Sequence, residues 1–315
     1  MASRNMTRPG TVQWQMNSLS SGLHALAAMD QGWPVTETAW ATALLPTSIQ
    51  IKEALLEHDV SPEAFWRHVV PLSEGISFVA ALVDVTLRKA VHTFHDKQDL
   101  ARRLAACIAQ ADNFVRQTHP DFAEMMTLRQ GPLRYQWEAY GPGMIHHIAR
   151  LTEPELIVDV ADVILVYPIV GGAGCAHLSY NSVRLEAMLA NPHPRLPEVV
   201  RLAWLLAQLH QDLPLYSESL AADRLPLIGA LAMLPPVLTA AGEVELTRYE
   251  SAVLAEALSA WLVGPALESL PVSGSDAATG AVADVLQDWW DTYQGSRPSW
   301  QVALASLDRM LSAVA

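Results

Sequence analysis

The sequence predicts a mainly α-helical, α+β protein. Helical layers surround a small antiparallel β-hairpin or sheet and a buried central helix. Three observations carry this. Apolar residues recur at helical spacing through the first 120 residues and again after Pro214. A β-branched apolar run, Val163–Val170, meets a glycine turn, Gly171–Gly174. The stretch from Pro197 to Asp212 is apolar nearly all round, as befits a helix in the middle of a domain. The alternation of strands and helices that builds a doubly wound parallel sheet is missing.

Residues 1–10 read as a loose tail. An N-terminal helical region is expected over 11–128. Its helices are placed at Asn17–Met29, at Thr36–Leu45 ending at Pro46, from Ile49 to Glu57, and after the Ser61-Pro62 cap. Two more follow, Ser73–Phe94 and Asp99–Thr118. The pattern changes at Gln130-Gly131-Pro132. Leu133–Tyr140 alternates and is aromatic, which suggests a strand broken by Gly141-Pro142-Gly143, with a short helix from Met144 to Leu151. Val163–Val170 and a returning strand Leu178–Leu189 form the hairpin, with Val183, Leu185, Ala187 and Leu189 on one face. The hairpin and buried helix make a central region, 129–268. Helices resume at Ala221–Leu234, broken at Pro235-Pro236, and at Thr247–Val263, which opens with capping-box spacing. A Ser/Gly/Ala linker is expected at 269–280, and helices at 281–315 pack on the same body.

Composition removes several functions. The 315 residues carry a net charge of −13, with 51% apolar residues and ten Trp. From Ala207 onward there are four Arg, no Lys and thirteen acids. Phosphate neutralisation needs clustered cations, so neither nucleic acid nor an anionic membrane is an expected partner. The one basic cluster, Arg88, Lys89, Lys97, Arg102 and Arg103, is interleaved with acids and reads as a solvated face. Two cysteines give no disulfide framework. Cys107, inside an apolar run, reads as a small buried hydrophobe. With no secretory signal or membrane span, the expected location is the cytoplasm.

The polar residues that could meet in one cleft, between the 163–189 hairpin and the 197–212 helix, are Glu138, Tyr140, His146, His177, Tyr180, Asn181, Arg201 and Gln208. Glu138 lies between Trp137 and Tyr140, an apolar setting that suits a general acid. Arg201 and Gln208 share a helix face. A buried arginine needs a partner, and Glu186, Glu198 and Glu138 are the candidates. The loop Gly171–Gly174 follows a strand but precedes another, so it reads as a hairpin turn rather than a phosphate cradle. His146 and His147 are adjacent and diverge on a helix, and His92 with His95 falls in a charged segment. His177, His193 and His210 could converge, but the pattern requires no metal and no cofactor. Cys175 and His177 share a strand face at a separation too long for direct contact.

The order strand, glycine turn, strand, loop, buried helix resembles the approach to the active-site helix of zincin-type metallopeptidases. In that family the helix carries His-Glu-x-x-His. Here it reads Leu205-Leu206-Ala207-Gln208-Leu209-His210, with Leu206 and Ala207 where the first histidine and the general-base glutamate stand. The resemblance implies a pseudo-peptidase without the zinc site. With no complete catalytic set, the expected function is binding or assembly, with a protein, a small molecule or a second copy of the chain as partner. An enzyme of unassigned class using the eight-residue cleft is the alternative.

Overall fold

The computed structural model describes residues 10–91, 98–262 and 276–313. Residues 1–9 of the expected tail, His92, His95 and Lys97, and residues 269–275 of the expected linker lie outside them. The architecture is mainly helical with a small four-stranded mixed sheet of order β1-β2-β4-β3. The strands are β1 (Thr11–Gln15), β2 (Val160–Val166), β3 (Gly174–His177) and β4 (Ser182–Glu186).

The sheet differs from a simple hairpin. β1 and β4 both run parallel to β2, and β3 runs antiparallel to β4 on the outer edge. The chain therefore leaves β2, passes beyond the position of β4, and returns. The true hairpin is β3–β4, and its turn is Leu178–Asn181. Leu178–Tyr180 form a 3-10 turn and Asn181 sits in the left-handed region at φ 45°, which Asn tolerates better than most residues. Residues 178–180 are thus not strand, and Gly171–Ala173 is a loop leading into β3, whose first residue is Gly174. β1 is an addition. Its Thr-Val-Gln-Trp-Gln alternation fits a strand half covered by helices.

Two buried helices clasp the sheet. α1 (Ser18–Asp30) is capped by Asn17, whose side chain accepts the Ser20 N–H at 2.7 Å. Every residue from Ser18 to Ala28 is buried. α7 (Glu198–Leu206) is buried throughout. Along β4, alternate residues face opposite sides. Glu186 meets His24 of α1, while Leu185 and Leu205 of α7 close around Gly174. Outside α1 lie α2 (Thr38–Leu56), α3 (Pro62–Leu72), α4 (Val79–Ala90) and α5 (Gln98–Thr118). Behind α7 pack α6 (Phe122–Leu151) and α10 (Leu234–Glu243). α8 (Pro214–Ser217), α9 (Leu225–Ala232), α11 (Ser251–Trp261), α12 (Asp276–Ser296) and α13 (Trp300–Ala313) complete the body. The buried hydrophobic residues of all these layers form one continuous cluster.

Four expectations change at prolines and glycines. α2 runs through Pro46, and α6 is one 30-residue helix through both Pro132 and Pro142. Each proline is exposed, so the carbonyl it leaves unbonded reaches water. Leu133–Tyr140 is therefore helix, not strand. Its buried stripe is Gln130, Leu133, Trp137, Gly141 and Ile145. Gly141 is a packing residue rather than a break: a Cβ there would lie 2.5 Å from the Trp137 ring. The break expected at Pro235-Pro236 falls at Met233, and the two prolines stand in the first turn of α10, where their missing N–H groups have no helical role. Thr247 makes no capping box; its hydroxyl donates to the Arg195 carbonyl at 2.7 Å and α11 starts at Ser251. Residues 276–280, placed in the linker from sequence, are the first residues of α12.

One apolar stretch among the described residues, Leu225–Glu243, is long enough to cross a membrane, and 78% of its most apolar window is buried inside the fold.

Candidate functional site

The face of the sheet turned to α1 is polar. Ser182, Arg184 and Glu186 alternate along β4, and Cys175 and His177 stand beside Arg184 and Ser182 on β3. Glu186 is completely buried. Its Oε1 accepts from His24 Nε2 at 2.9 Å and from the N–H groups of Ile169 and Val170 at 2.8 Å each. Oε2 accepts from Gly171 at 2.9 Å, Gly172 at 2.6 Å and Ala173 at 3.1 Å. Five successive amides thus cradle one carboxylate. Gly171 and Gly172 have φ of 96° and 114°, a conformation that lets neighbouring N–H groups converge. The loop read as a plain turn is an anion nest, and the chain's own Glu186 fills it. Burial pushes this carboxyl up, but the His24 bond and the loop amides outweigh burial and hold it at about 2. Burial also keeps His24 below its usual value. His24 is therefore neutral, with its Nε2 proton on Glu186 and its Nδ1 unpartnered.

Arg201 closes the loop from the α7 side. Its Nη1 donates to the Gly172 carbonyl, and Nη2 stands 3.5 Å from Glu198. Both members of this ion pair are buried. Burial raises the Glu198 carboxyl, opposed by Arg201. Of the partners considered from sequence, Glu198 is the one in reach. Glu138 is bonded to Arg134 at 2.8 Å on the outside of α6.

The eight sequence candidates do not form one cleft. Glu138 is exposed, so the apolar setting expected for it is absent. Tyr140 and His146 also lie on the exposed side of α6, and Asn181 is exposed in the β3–β4 turn. Arg201 sits beneath the glycine loop. Gln208 is buried and donates to the Trp204 carbonyl at 3.0 Å. His177, Tyr180 and Gln208 do line cavities. His210 points at the Glu155 carbonyl and His193 at Glu256, so these two and His177 do not converge. Among the described residues no group of three or more His, Cys, Asp or Glu could hold a metal ion.

Two adjoining cavities flank the outer edge strand β3. The smaller, about 330 Å³, is walled by Trp66 and Arg67 of α3, by Cys175–Tyr180, by Arg184, and by Asp212 and Leu225 opposite. The larger, about 760 Å³, is walled by Trp33, Trp204, Leu205, Gln208, Leu227 and Trp261, with Asp223 and Arg224 at its polar side. They share Glu63, Arg67, Cys175, Ala176, Leu178, Ala222 and Pro226. At the rim His68 Nδ1 and the Tyr180 hydroxyl are 2.7 Å apart, and the Lys89 ammonium lies over the Tyr180 ring. Burial raises the Cys175 thiol and holds the His177 imidazole well below its ordinary range. A thiol kept protonated beside a neutral imidazole is not an activated nucleophile.

Sequence reasoning missed Arg184, Trp33, Trp66 and Arg67 as wall residues. A signal was present for Arg184. Val183 and Leu185 define the apolar face of a buried strand, which leaves Ser182, Arg184 and Glu186 on a buried polar one. All ten Trp residues are described, and none is exposed. Cys107 is half-buried, with its thiol 3.7 Å from Gln50 Oε1.

No known protein family, curated protein or solved structure matches this chain.

Proposed function

We propose that this chain is a cytoplasmic binding protein whose ligand is a small organic molecule held along β3. The observation that carries the reading is the pair of adjoining cavities. Together they offer tryptophan and leucine walls with a few polar groups, the usual composition of a small-molecule site. Assembly through an exposed tryptophan face has no support, since the tryptophans are used in the core and in these walls. The catalytic alternative relied on Glu138, His177, Asn181 and Arg201 meeting, and they stand apart.

The neutral fluorophore N-phenyl-1-naphthylamine brightens in apolar surroundings and is of a size to enter the larger cavity. Titrated against the protein, it should saturate at one per chain. Ala222 is exposed and borders both cavities. Its replacement, Ala222→Trp, should obstruct the mouth, weaken the dye about tenfold, and leave the melting temperature nearly unchanged. A dye that does not bind, or binds equally well to the variant, argues against the cavities as the ligand site.

A further inference from the structure

We infer that the cleft takes an organic monoanion, its carboxylate held by Arg184 at the polar end and its apolar, ring-sized body lying in the tryptophan-walled cavity. This deepens the small-molecule reading above and rests on it. Arg184 is only 4% exposed. It makes no ion pair and no hydrogen bond, and its Nε is buried without a partner. Its guanidinium carbon lies 5.7 Å from the centre of the Trp33 ring. A buried guanidinium without a counter-charge is strongly unfavourable, and its planar fork of N–H donors matches a carboxylate.

Among the described residues no carboxylate lies within ion-pair distance of Arg184, and the nearby charge that favours the cation, Glu186, is bonded elsewhere. Glu186, two residues along the strand, is saturated by His24 and five amides. Glu63, on the cavity wall, is held by Arg67 at 2.6 Å. Arg184 lines the smaller cavity, and His177 lines it too with a buried, unpartnered Nε2 that can serve as a second donor. Trp33 joins the two halves of the site: it carries Arg184 and also walls the larger, apolar cavity. Asp212 and Asp223 stand on the cavity walls. They oppose further negative charge, so a single carboxylate fits and a polyphosphate does not.

The test uses 1-naphthaleneacetate and its neutral isostere 1-naphthaleneacetamide as competitors for bound N-phenyl-1-naphthylamine. In the unaltered protein the acetate should displace the dye at a concentration about tenfold or more below the amide. In Arg184→Met the two should be equal. Because Arg184 is buried, a second measurement is made on the unaltered protein: the Arg184 Nε–H resonance, assigned with Arg184→Lys, should move with the acetate and stay in place with the amide. Equal displacement by both competitors, or a stationary resonance at saturating acetate, overturns the carboxylate inference and leaves the cavity reading intact. Failure of the dye itself to bind removes both.

Discussion

Glu186 shows how one residue can organise several elements. It is the last residue of β4, yet it fastens α1 through His24 and the whole 169–173 loop through its amides. Its folded pKa of about 2 lies below the model-compound value of 4.5. A depressed carboxyl contributes stability that is present above 4.5 and lost as pH falls toward 2. For a buried group the shift corresponds to roughly 3 kcal/mol. Glu186→Gln should lower stability at pH 7 by about that amount, because an amide puts an N–H₂ group against N–H donors. The variant's urea-unfolding free energy should also lack the acid limb between pH 4.5 and 2. His24 is likewise held below 6.5, so acid loss should begin as pH falls through 6.5 in the unaltered protein. A stability that is flat from pH 7 to 3 contradicts this account. The residue was visible in the sequence only as a possible partner for Arg201. What the glycines were for could not be read, because a nest filled from within has no outward motif.

At the scale of elements, α6 makes the clearest case. Its two prolines and three glycines suggest a strand and a turn, and the packing overrides them. The apolar positions recur at three and four residues, and the prolines fall on the wet side. Gly141→Ala should destabilise by about 1–3 kcal/mol, since the added methyl collides with Trp137. Pro132→Ala should do the reverse and stabilise by about 1–2 kcal/mol, by restoring the bond to the Leu128 carbonyl. Urea unfolding of both variants checks the pair; a stabilising Gly141→Ala would mean that Trp137 can move aside. Helices with one clean apolar stripe, such as α3 and α5, were legible to within a few residues. Besides α6, β1 and the 178–181 turn were not legible; both are short, and β1 takes its identity from a partner far away in the chain.

For the whole molecule, the fold class was legible and the site was not. Mainly helical layers, a small sheet and an all-round apolar helix follow from periodicity and composition. A cavity, however, is made by what several elements fail to fill, and β3, α3, α9 and the end of α11 are remote from one another in sequence. The prediction at this scale concerns β1. It covers one edge of β2 and is joined to the body chiefly through that pairing. Removing residues 1–16 should expose the β2 edge, lower stability by about 3 kcal/mol or more, and promote aggregation. Thermal melts and light scattering would show it, and a truncated chain that melts normally would mean β1 is dispensable.

The β1–β2 pairing has a further consequence in time. Thr11 pairs with Val160, a separation of 149 residues. A ribosome adding about 5–20 residues per second needs roughly 7–30 s to make the partner after the first strand is finished. Through that interval α1 to α6 can begin to condense around a strand with no neighbour. The nascent chain therefore carries an open pairing edge until β2 is made, and shielding that edge falls to the helices already made or to a chaperone.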